Sequence, residues 1–216
     1  QAGSQVLLFD TQTQACHKAR DSIIAQWGKM AEKGRLTAEQ VADNSRRLQC
    51  VDSLAALAPC DLVIEAIIER LDIKQAVFAD LEAVVRSDTV LASNTSSLSV
   101  TAIAAKLKQP ERCAGYHFFN PVPLMKVVEV IPGLKTDADV CKRLYDYARD
   151  MGHTAVMAQD TPGFIVNHAG RGYGTEAGRK ACSQASKYCG SGNAGNRAAS
   201  GPPDTDSSCY RQETWT

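Results

Sequence analysis

The chain has 216 residues, of which 24 are Lys or Arg, 24 are Asp or Glu, and 44% are hydrophobic. This length allows one full domain with a sizeable core. A net charge of zero, with both signs interspersed, disfavours nucleic acid and anionic membrane surfaces as partners. The longest apolar stretches, such as residues 61–68, are far shorter than the ~20 residues that span a bilayer.

The cysteines of the chain predict neither a metal site nor a disulfide framework. The sequence holds 8 cysteines, which never form the spacing Cys-x-x-Cys and are scattered through apolar segments. We therefore expect no bound metal. A reducing compartment, and thus a cytoplasmic location, is the location that this pattern favours.

Both ends of the chain have unusual composition. The chain opens at Gln1 without Met and enters an apolar run at Val6, so we expect neither a signal peptide nor a native start. Residues 168–216 contain no Leu, Ile, Val, Phe or Met, and such a segment buries too little apolar surface to offset its ordering entropy. The composition predicts a structured domain over residues 1–167 and a low-complexity tail over 168–216, either disordered or read in a disturbed frame.

Short apolar runs alternate with longer helical patterns along residues 1–167. The apolar runs predict strands over Gln5–Phe9, Leu48–Val51, Asp61–Ala66, Thr89–Ser93, Cys113–Phe118, Lys126–Ile131 and Thr154–Met157. The longer patterns predict helices over Thr13–Lys33, Thr37–Arg46, Ile73–Val85, Val100–Leu107 and Asp137–Met151. Alternating strands and helices favour an α/β fold with a mostly parallel sheet wrapped by helices.

Capping residues and apolar spacing add detail to the predicted helices. Thr37 with Gln40 three residues later is typical of a capping box, and Gly34 and Gly152 are typical of helix ends. In the first helix, apolar residues recur at helical spacing and are expected to face the sheet as core: Ile23, Ile24, Trp27 and Met30.

Asp10 ends the first predicted strand, where a carboxylate can accept hydrogen bonds from a ribose 2′-hydroxyl and repel a 2′-phosphate. The alternative is an ordinary Asp at a helix N-terminus. The glycine loop that should precede such a strand is missing, since only residues 1–4 lie upstream. A G-x-G-x-x-G spacing does occur over residues 190–195, but no strand leads into it and Pro202-Pro203 follows, so we expect no nucleotide site there.

Two polar clusters follow predicted strands directly. Residues 93–97 come after one strand and residues 117–123 after another, and the carboxyl ends of strands are where open α/β sheets bind ligands. His117 alone is more often a satisfied core histidine than a base. Glu129 changes this interpretation, because it lies in an apolar strand pattern where a buried carboxylate needs a partner. A His117–Glu129 pair would set the imidazole tautomer for general base catalysis.

The segment from Val6 to Asn167 resembles the NAD-binding domain of L-3-hydroxyacyl-CoA dehydrogenases, close to the bacterial 3-hydroxybutyryl-CoA and phenylacetate-pathway members. Four blocks carry this resemblance in order and spacing: Leu62–Ala66, Ser93–Leu98, His117–Met125 and Asp160–Asn167. The resemblance implies a Rossmann-like, doubly wound sheet that is incomplete at its N-terminus. It also implies that the family's first strand, glycine loop and helical second domain are missing here.

The resemblance assigns roles to residues position by position. The catalytic residues it implies are His117, Glu129, Ser96 and Asn167. The NAD contacts it implies are Asp10, Ala66, Glu69, Lys74, Asn94, Ser96 and Asn120. For substrate it implies Lys33 and Ser96, while a second coenzyme A contact, usually a hydroxyl in the family, falls on Gln26.

The function that the resemblance implies is reversible, NAD-dependent oxidation of (S)-3-hydroxyacyl-CoA to 3-oxoacyl-CoA in fatty-acid or aromatic-acid degradation, by a homodimer when full-length. One alternative is a non-catalytic dinucleotide-binding or structural protein, similar to the lens crystallins on this fold, and another is an inactive fragment. The intact set of Ser96, His117, Glu129 and Asn167 favours the enzyme. Without the first strand and second domain, we expect the chain by itself to show no detectable oxidation and to bind NAD weakly or not at all.

Overall fold

The computed structural model describes residues 1–170, so the predicted tail over 168–216 lies outside the described residues apart from its first three positions. The helices are α1 Thr13–Glu32, α2 Ala38–Arg47, α3 Leu71–Val84, α4 Val100–Ala104 and α5 Ala138–Asp150. The strands are β1 Val6–Leu8, β2 Leu48–Cys50, β3 Leu62–Glu65, β4 Val90–Ser93, β5 Cys113–Phe118, β6 Val127–Pro132 and β7 Thr154–Met157. Every predicted strand and helix is confirmed, with ends shifted by at most three residues.

Five strands form one sheet in the order β3-β4-β5-β6-β7. All neighbours run parallel except β5 and β6, which pair antiparallel with His117 opposite Glu129. The two remaining strands, β1 and β2, pair in parallel as a separate sheet. The mostly parallel α/β architecture is therefore confirmed, and among residues 1–170 the strands are divided between two sheets.

Helices cover both faces of the five-stranded sheet, because its strands alternate buried side chains between the two faces. On one face, Ala92 and Tyr116 join a core cluster with Leu144 of α5. On the other face, Leu91 joins a cluster with Phe78 of α3. Leu7 and Phe9 of the β1 region pack against this second cluster, as does Val63 of β3. The two sheets thus share one core although they do not share hydrogen bonds.

Helix α1 differs from the prediction. Its apolar residues at 23, 24, 27 and 30 are half-buried, and Cys16 is its one fully buried residue. The helix contacts α2 and β2 at the margin of the fold, so that much of its surface stays exposed. Two short 3-10 helices, Leu54–Leu57 and Pro110–Arg112, were not predicted, because single turns are too short to show a periodic pattern. Among residues 1–170, no helix combines the length and the apolar character that crossing a membrane requires.

Gly115 in β5 offers a test of how tightly this sheet packs. A Cβ at this position would lie 2.8 Å from Cγ2 of Val100 and 2.9 Å from Cβ of Ile131. Because both neighbours are fully buried, we expect Gly115→Ala to lower the free energy of unfolding by about 1–3 kcal/mol, measured by urea denaturation. Gly28→Ala in α1 is the matched control, since a Cβ there meets nothing within 4 Å and should raise stability by about 0.5–1 kcal/mol. Equal stability of the two variants would contradict this account.

Candidate functional site

The carboxyl ends of β3, β4 and β5 lie at one edge of the five-stranded sheet. Glu65 at the end of β3 is the register partner of Ser93 at the end of β4. The backbone N–H of Phe118, at the end of β5, donates a 2.8 Å hydrogen bond to Oδ1 of Asn94, just beyond β4. The two polar clusters that the sequence placed after strands are therefore neighbours at this edge.

His117 and Glu129 form a buried pair at the same edge. Nδ1 of His117 lies 2.7 Å from Oε2 of Glu129, and the Glu129 side chain is fully buried. Because an ionised carboxylate only accepts hydrogen bonds, Nδ1 carries the hydrogen and Nε2 is left as the basic nitrogen. The pairing follows from the antiparallel register, which sets residues 117 and 129 directly opposite each other.

The second oxygen of Glu129 holds a different part of the chain. Oε1 accepts hydrogen bonds of 3.0 Å from the backbone N–H groups of Ile165 and Val166. Three N–H donors thus surround one buried carboxylate, which gives the charge the partners that burial demands. The same side chain thereby links the imidazole to the segment of residues 161–167.

Phe164 in this segment has an unusual backbone conformation. Its φ angle is +48°, in the left-handed region that non-glycine residues seldom adopt, and it follows Gly163 at φ +79°. Its ring is buried, with its centroid 5.6 Å from that of His117, while the ring of Phe119 lies 4.5 Å from His117. The two aromatic rings and Glu129 together hold the imidazole in one orientation.

Asp160 anchors the start of the 161–167 segment. Its carboxylate accepts hydrogen bonds of 2.8 Å from Ser99 Oγ and from the backbone N–H groups of Val100 and Thr101. Partial burial opposes ionisation, but the hydrogen bonds from Thr101, Ser99 and Val100 outweigh it and hold the pKa of the Asp160 carboxyl below its ordinary value. A charged carboxylate therefore ties this segment to the beginning of α4.

Asn167 and Ser96 meet where the 161–167 segment ends. Nδ2 of Asn167 donates a hydrogen bond of 3.3 Å to the backbone carbonyl of Ser96. Ser96 is exposed at the sheet edge, and Asn167 is half-buried. These two residues and the His117–Glu129 pair are thus joined through one short segment of chain, although they lie far apart in the sequence.

A second charge network joins β3, α3 and the loop after β4. The side chain of Lys74 is 1% exposed, and its Nζ lies 2.6 Å from Oε1 of Glu65 and 3.2 Å from Oε2 of Glu69. Glu65 also accepts hydrogen bonds from Ser93 Oγ and from the backbone N–H of Ile67. Because the ammonium is enclosed, a direct contact of Lys74 with a cofactor would require it to leave both carboxylates. That contact stays a prediction.

Glu69 connects this network to the loop that carries Ser96. Its Oε1 accepts hydrogen bonds from Thr95 Oγ1, from the backbone N–H of Ser96 at 3.0 Å, and from both the N–H and the hydroxyl of Ser97. Burial opposes ionisation of Glu69, but the Thr95 hydroxyl and the Lys74 charge outweigh it and lower the pKa of the Glu69 carboxyl. The hydrogen bonds that hold this loop thus favour the ionised form of Glu69.

The other predicted site residues are more exposed. Asp10 lies just after β1, where its Oδ1 accepts a 2.7 Å hydrogen bond from the N–H of Gln12. Ala66 and Asn120 are exposed beyond β3 and β5. Lys33 is exposed at the end of α1, and its side chain forms no ion pair or hydrogen bond among residues 1–170.

Sequence reasoning missed three contributors to this site. Glu65 interrupts an apolar strand in the same way as Glu129, so the signal that identified Glu129 could have identified it as well. Asp160 and Phe164 lie in a block that the sequence singled out, but their contacts to residues 99–101 and 117 are visible only in the fold. Within residues 1–170, no group of three or more His, Cys, Asp or Glu side chains could hold a metal ion.

Polar residues that follow β1, β4 and β5 fit part of a dinucleotide. The free carboxylate oxygen of Asp10 can accept from a ribose diol, and the exposed polar groups of Ser96 and Asn120 lie beyond β4 and β5. The described residues supply no glycine-rich loop ahead of β1, where a pyrophosphate would bind a helix N-terminus. The described residues therefore fit two parts of the dinucleotide, which are the ribose of the adenosine half and the nicotinamide half.

Comparison with protein families matches residues 1–161 to the family described as 3-hydroxyacyl-CoA dehydrogenase, NAD binding domain. The chain is 49% identical over 177 residues to the 3-hydroxyadipyl-CoA dehydrogenase of Escherichia coli strain K12, covering 82% of this chain and 37% of that protein. It is 38% identical over 165 residues to the fatty acid oxidation complex subunit alpha of Pseudomonas aeruginosa strain LESB58, covering 76% of this chain and 23% of that protein. The chain thus spans well under half the length of these relatives.

Solved structures agree with these matches. The 3-hydroxybutyryl-CoA dehydrogenase of Escherichia coli K12 superposes with a TM-score of 0.83 at 48% identity, over 85% of this chain and 39% of that one. The (S)-3-hydroxybutyryl-CoA dehydrogenase of Ralstonia eutropha superposes with a TM-score of 0.75 at 32% identity, over 77% of this chain and 59% of that one. The likeness shows that the fold is shared over most of this chain.

Asp160 leads to a prediction about stability and pH. The pKa of the Asp160 carboxyl in the folded chain lies below its ordinary value. Its contribution to the free energy of unfolding is therefore complete above about pH 4 and is lost as the pH falls through the folded pKa. We expect Asp160→Asn to lower the free energy of unfolding at pH 7 by about 1–2 kcal/mol, and the difference from the unmodified chain to shrink below about pH 4. Urea denaturation at a series of pH values measures both. Asp146→Asn, which removes only an exposed pair with Lys142, is the control and should have little effect. A pH-independent difference for Asp160→Asn would contradict the role of its charge.

Proposed function

The chain belongs to the family of 3-hydroxyacyl-CoA dehydrogenase NAD-binding domains, and we propose that the protein containing it catalyses reversible, NAD-dependent oxidation of (S)-3-hydroxyacyl-CoA to 3-oxoacyl-CoA. The observation that carries the proposal is the buried His117–Glu129 pair, with Nδ1 and Oε2 2.7 Å apart, at the carboxyl edge of a mostly parallel sheet. A domain that only binds a dinucleotide has no need of an oriented base.

His117 acts as the general base in this proposal. Nε2 takes the proton of the substrate 3-hydroxyl while the C3–H bond breaks, and returns a proton in the reverse direction. Glu129 stabilises the imidazolium that forms, since its Oε2 already accepts from Nδ1. Its full burial strengthens this interaction by excluding water from the pair.

NAD, the cofactor of this domain family, would supply the acceptor for the hydride from C3 when bound. Asp10 binds the adenosine ribose, while Ala66, Glu69, Asn94, Ser96 and Asn120 lie along the rest of the cofactor path. Ser96 and Asn167, joined by the hydrogen bond between Nδ2 and the Ser96 carbonyl, orient the reacting oxygen or the thioester carbonyl. Lys33 binds the coenzyme A portion of the substrate.

Lys74 and Glu69 have a positioning role in this proposal. Lys74 neutralises the pair of carboxylates beside it, and Glu69 holds the N–H groups of Ser96 and Ser97. The loop that presents Ser96 is thereby preorganised, which reduces the entropy that binding must overcome.

The same proposal extends to the bounds of the domain, the substrate, the oligomeric state and the cellular location. The NAD-binding domain extends over residues 1–167, acyl-CoA is the substrate, and the whole protein is a homodimer that acts in fatty-acid or aromatic-acid degradation. A cytoplasmic location is supported by Cys16, Cys50, Cys60, Cys113 and Cys141, which are all free thiols.

A chimaera tests the proposed function directly. Residues 6–167 of this chain would replace the matching segment of the Escherichia coli 3-hydroxybutyryl-CoA dehydrogenase, and NADH formation from (S)-3-hydroxybutyryl-CoA would be followed by absorbance. The 216-residue chain is assayed in parallel. A folded chimaera without turnover would overturn the proposal.

The base and its carboxylate make separate contributions in this chimaera. We expect His117→Gln to lower kcat by on the order of 10²–10⁴, and Glu129→Gln to lower kcat because an amide cannot stabilise the imidazolium equally well. KM should change less than kcat, since the proton moves in the transition state. His17→Gln, on the exposed surface of α1, is the control and should keep full activity. Near-normal kcat in His117→Gln would make His117 a core histidine.

Cofactor preference tests the role of Asp10. Because its carboxylate lies where a 2′-phosphate would be placed, we expect kcat/KM to be roughly tenfold or more higher with NAD than with NADP, the scale of charge repulsion near water. Asp10→Asn should narrow this ratio, whereas Asp21→Asn on the exposed side of α1 should leave it unchanged. Equal turnover with both cofactors in the unmodified chimaera would contradict this role.

A further inference from the structure

Two cysteines lie close to each other in the β1–α1–β2 unit, near Asp10. Cys50 in β2 is the register partner of Leu8 in the parallel pair of β1 and β2. Sγ of Cys16 in α1 donates a hydrogen bond of 3.3 Å to the carbonyl oxygen of the same Leu8. One backbone position of β1 therefore brings the two thiols together, although 33 residues of sequence separate them.

The environments of the two thiols differ. Cys16 is buried and Cys50 is partly exposed. Burial is the largest cause that raises the pKa of Cys16, and the Cys50 thiol and the charges of Asp10 and Asp52 add to it, so that the pKa reaches about 11. Cys50 is thus the thiol that solvent and small molecules reach, and Cys16 is a protonated thiol behind it.

This arrangement distinguishes the pair from the other described cysteines. Burial is the main cause that raises the pKa of Cys60 and of Cys113, and the smaller effects come from charged neighbours, Asp61 and Arg86 at Cys60 and Glu65, Arg112 and Glu82 at Cys113. Burial alone raises the pKa of Cys141. Among residues 1–170, a second thiol contributes to the environment of a cysteine only where Cys16 and Cys50 meet.

We propose that Cys16 and Cys50 form a dithiol site that reacts with low-molecular-weight disulfides and closes to an intramolecular disulfide. The Cys50 thiolate attacks one sulfur of the small disulfide, so that a mixed disulfide forms and one small thiol leaves with a proton. Cys16 then loses its proton and attacks the Cys50 sulfur, and the second small thiol leaves with that proton. The protein loses two protons and two electrons, and the small disulfide is reduced to two thiols.

The disulfide would join α1 to β2 across the carbonyl of Leu8. It would close the part of the chain that contains α1 and α2, and a cross-link of this kind restricts the unfolded chain. Asp10, two residues beyond β1, lies close enough for its charge to raise the pKa of Cys16. The proposed disulfide would therefore form next to Asp10. The proposal rests on the two thiols alone and does not depend on the proposed function.

Oxidised glutathione is the probe that tests the site. The full chain is incubated with it, free thiols are alkylated, and the protein is digested without reductant for mass spectrometry. Cys182, Cys189 and Cys209 lie outside the described residues, so they are first replaced by serine to remove competing thiols. We expect a peptide pair that joins Cys16 to Cys50, lighter by two hydrogens than the two reduced peptides.

Single variants identify the order of the two steps. Cys16→Ser should stop the reaction at a mixed disulfide between Cys50 and glutathione, and Cys50→Ser should leave Cys16 unmodified. Cys60→Ser is the control, because Cys60 is also partly exposed, and should not change the yield of the cross-link. A Cys50 that is fully converted to the mixed disulfide while Cys16 stays a free thiol would overturn the proposal, as would a cross-link to any other cysteine.

A trivalent arsenical provides a measurement that needs no oxidation. Phenylarsine oxide bridges two neighbouring thiols, so it should bind the reduced chain with one molecule per dithiol. Either Cys16→Ser or Cys50→Ser should weaken this binding on the order of 100-fold, since the second bond is then no longer intramolecular. Equal binding by the unmodified chain and both variants would contradict the adjacency of the two thiols.

Discussion

The carboxylate of Glu129 is the group on which the organisation of this site depends. One oxygen accepts from the imidazole of His117, and the other accepts from the N–H groups of Ile165 and Val166. A fully buried charge without these partners would cost several kcal/mol, so the β5–β6 register and the course of the 161–167 segment are tied to each other. The left-handed backbone of Phe164 and its packing against the imidazole follow from the same constraint.

A second buried network solves the same electrostatic problem for the neighbouring strands. Glu65 ends β3 in an apolar environment, and its charge is balanced by Lys74 from α3 and by the hydroxyl of Ser93 from β4. Glu69 then shares Lys74 and holds the loop after β4 through the N–H groups of Ser96 and Ser97. The exposed Ser96 is thus held in position by the charge network of Lys74, Glu65 and Glu69. Functional loops are commonly supported by a rigid scaffold in this way.

The five-stranded sheet carries these networks and shares one core with the two-stranded sheet. Leu7 and Phe9 reach the same apolar cluster as Val63, so the β1–α1–β2 unit is held by side-chain packing while the five-stranded sheet is held by its ladder of hydrogen bonds. The family relationship explains why the two sheets pack together, since both belong to one dinucleotide-binding domain. The dithiol of Cys16 and Cys50 lies in the smaller unit, where apolar packing and the hydrogen bonds of Cys16 and Arg20 to carbonyl groups of β1 and β2 hold α1 in position.

The sequence by itself determined the order of the strands and helices, because burial on both faces produces the continuous apolar runs of β4 and β5, and because Thr37 with Gln40 forms the capping box it predicted. It also determined that Glu129 needs a partner, since a carboxylate inside an apolar strand has few other solutions. Only the tertiary structure decided which partners are used. Strand register and helix packing decide three of these contacts: the enclosure of Lys74 between two carboxylates, the hydrogen bonds from residues 99–101 to Asp160, and the adjacency of Cys16 and Cys50. These are contacts between residues far apart in the chain, and no local pattern of residues contains the geometry that brings them together.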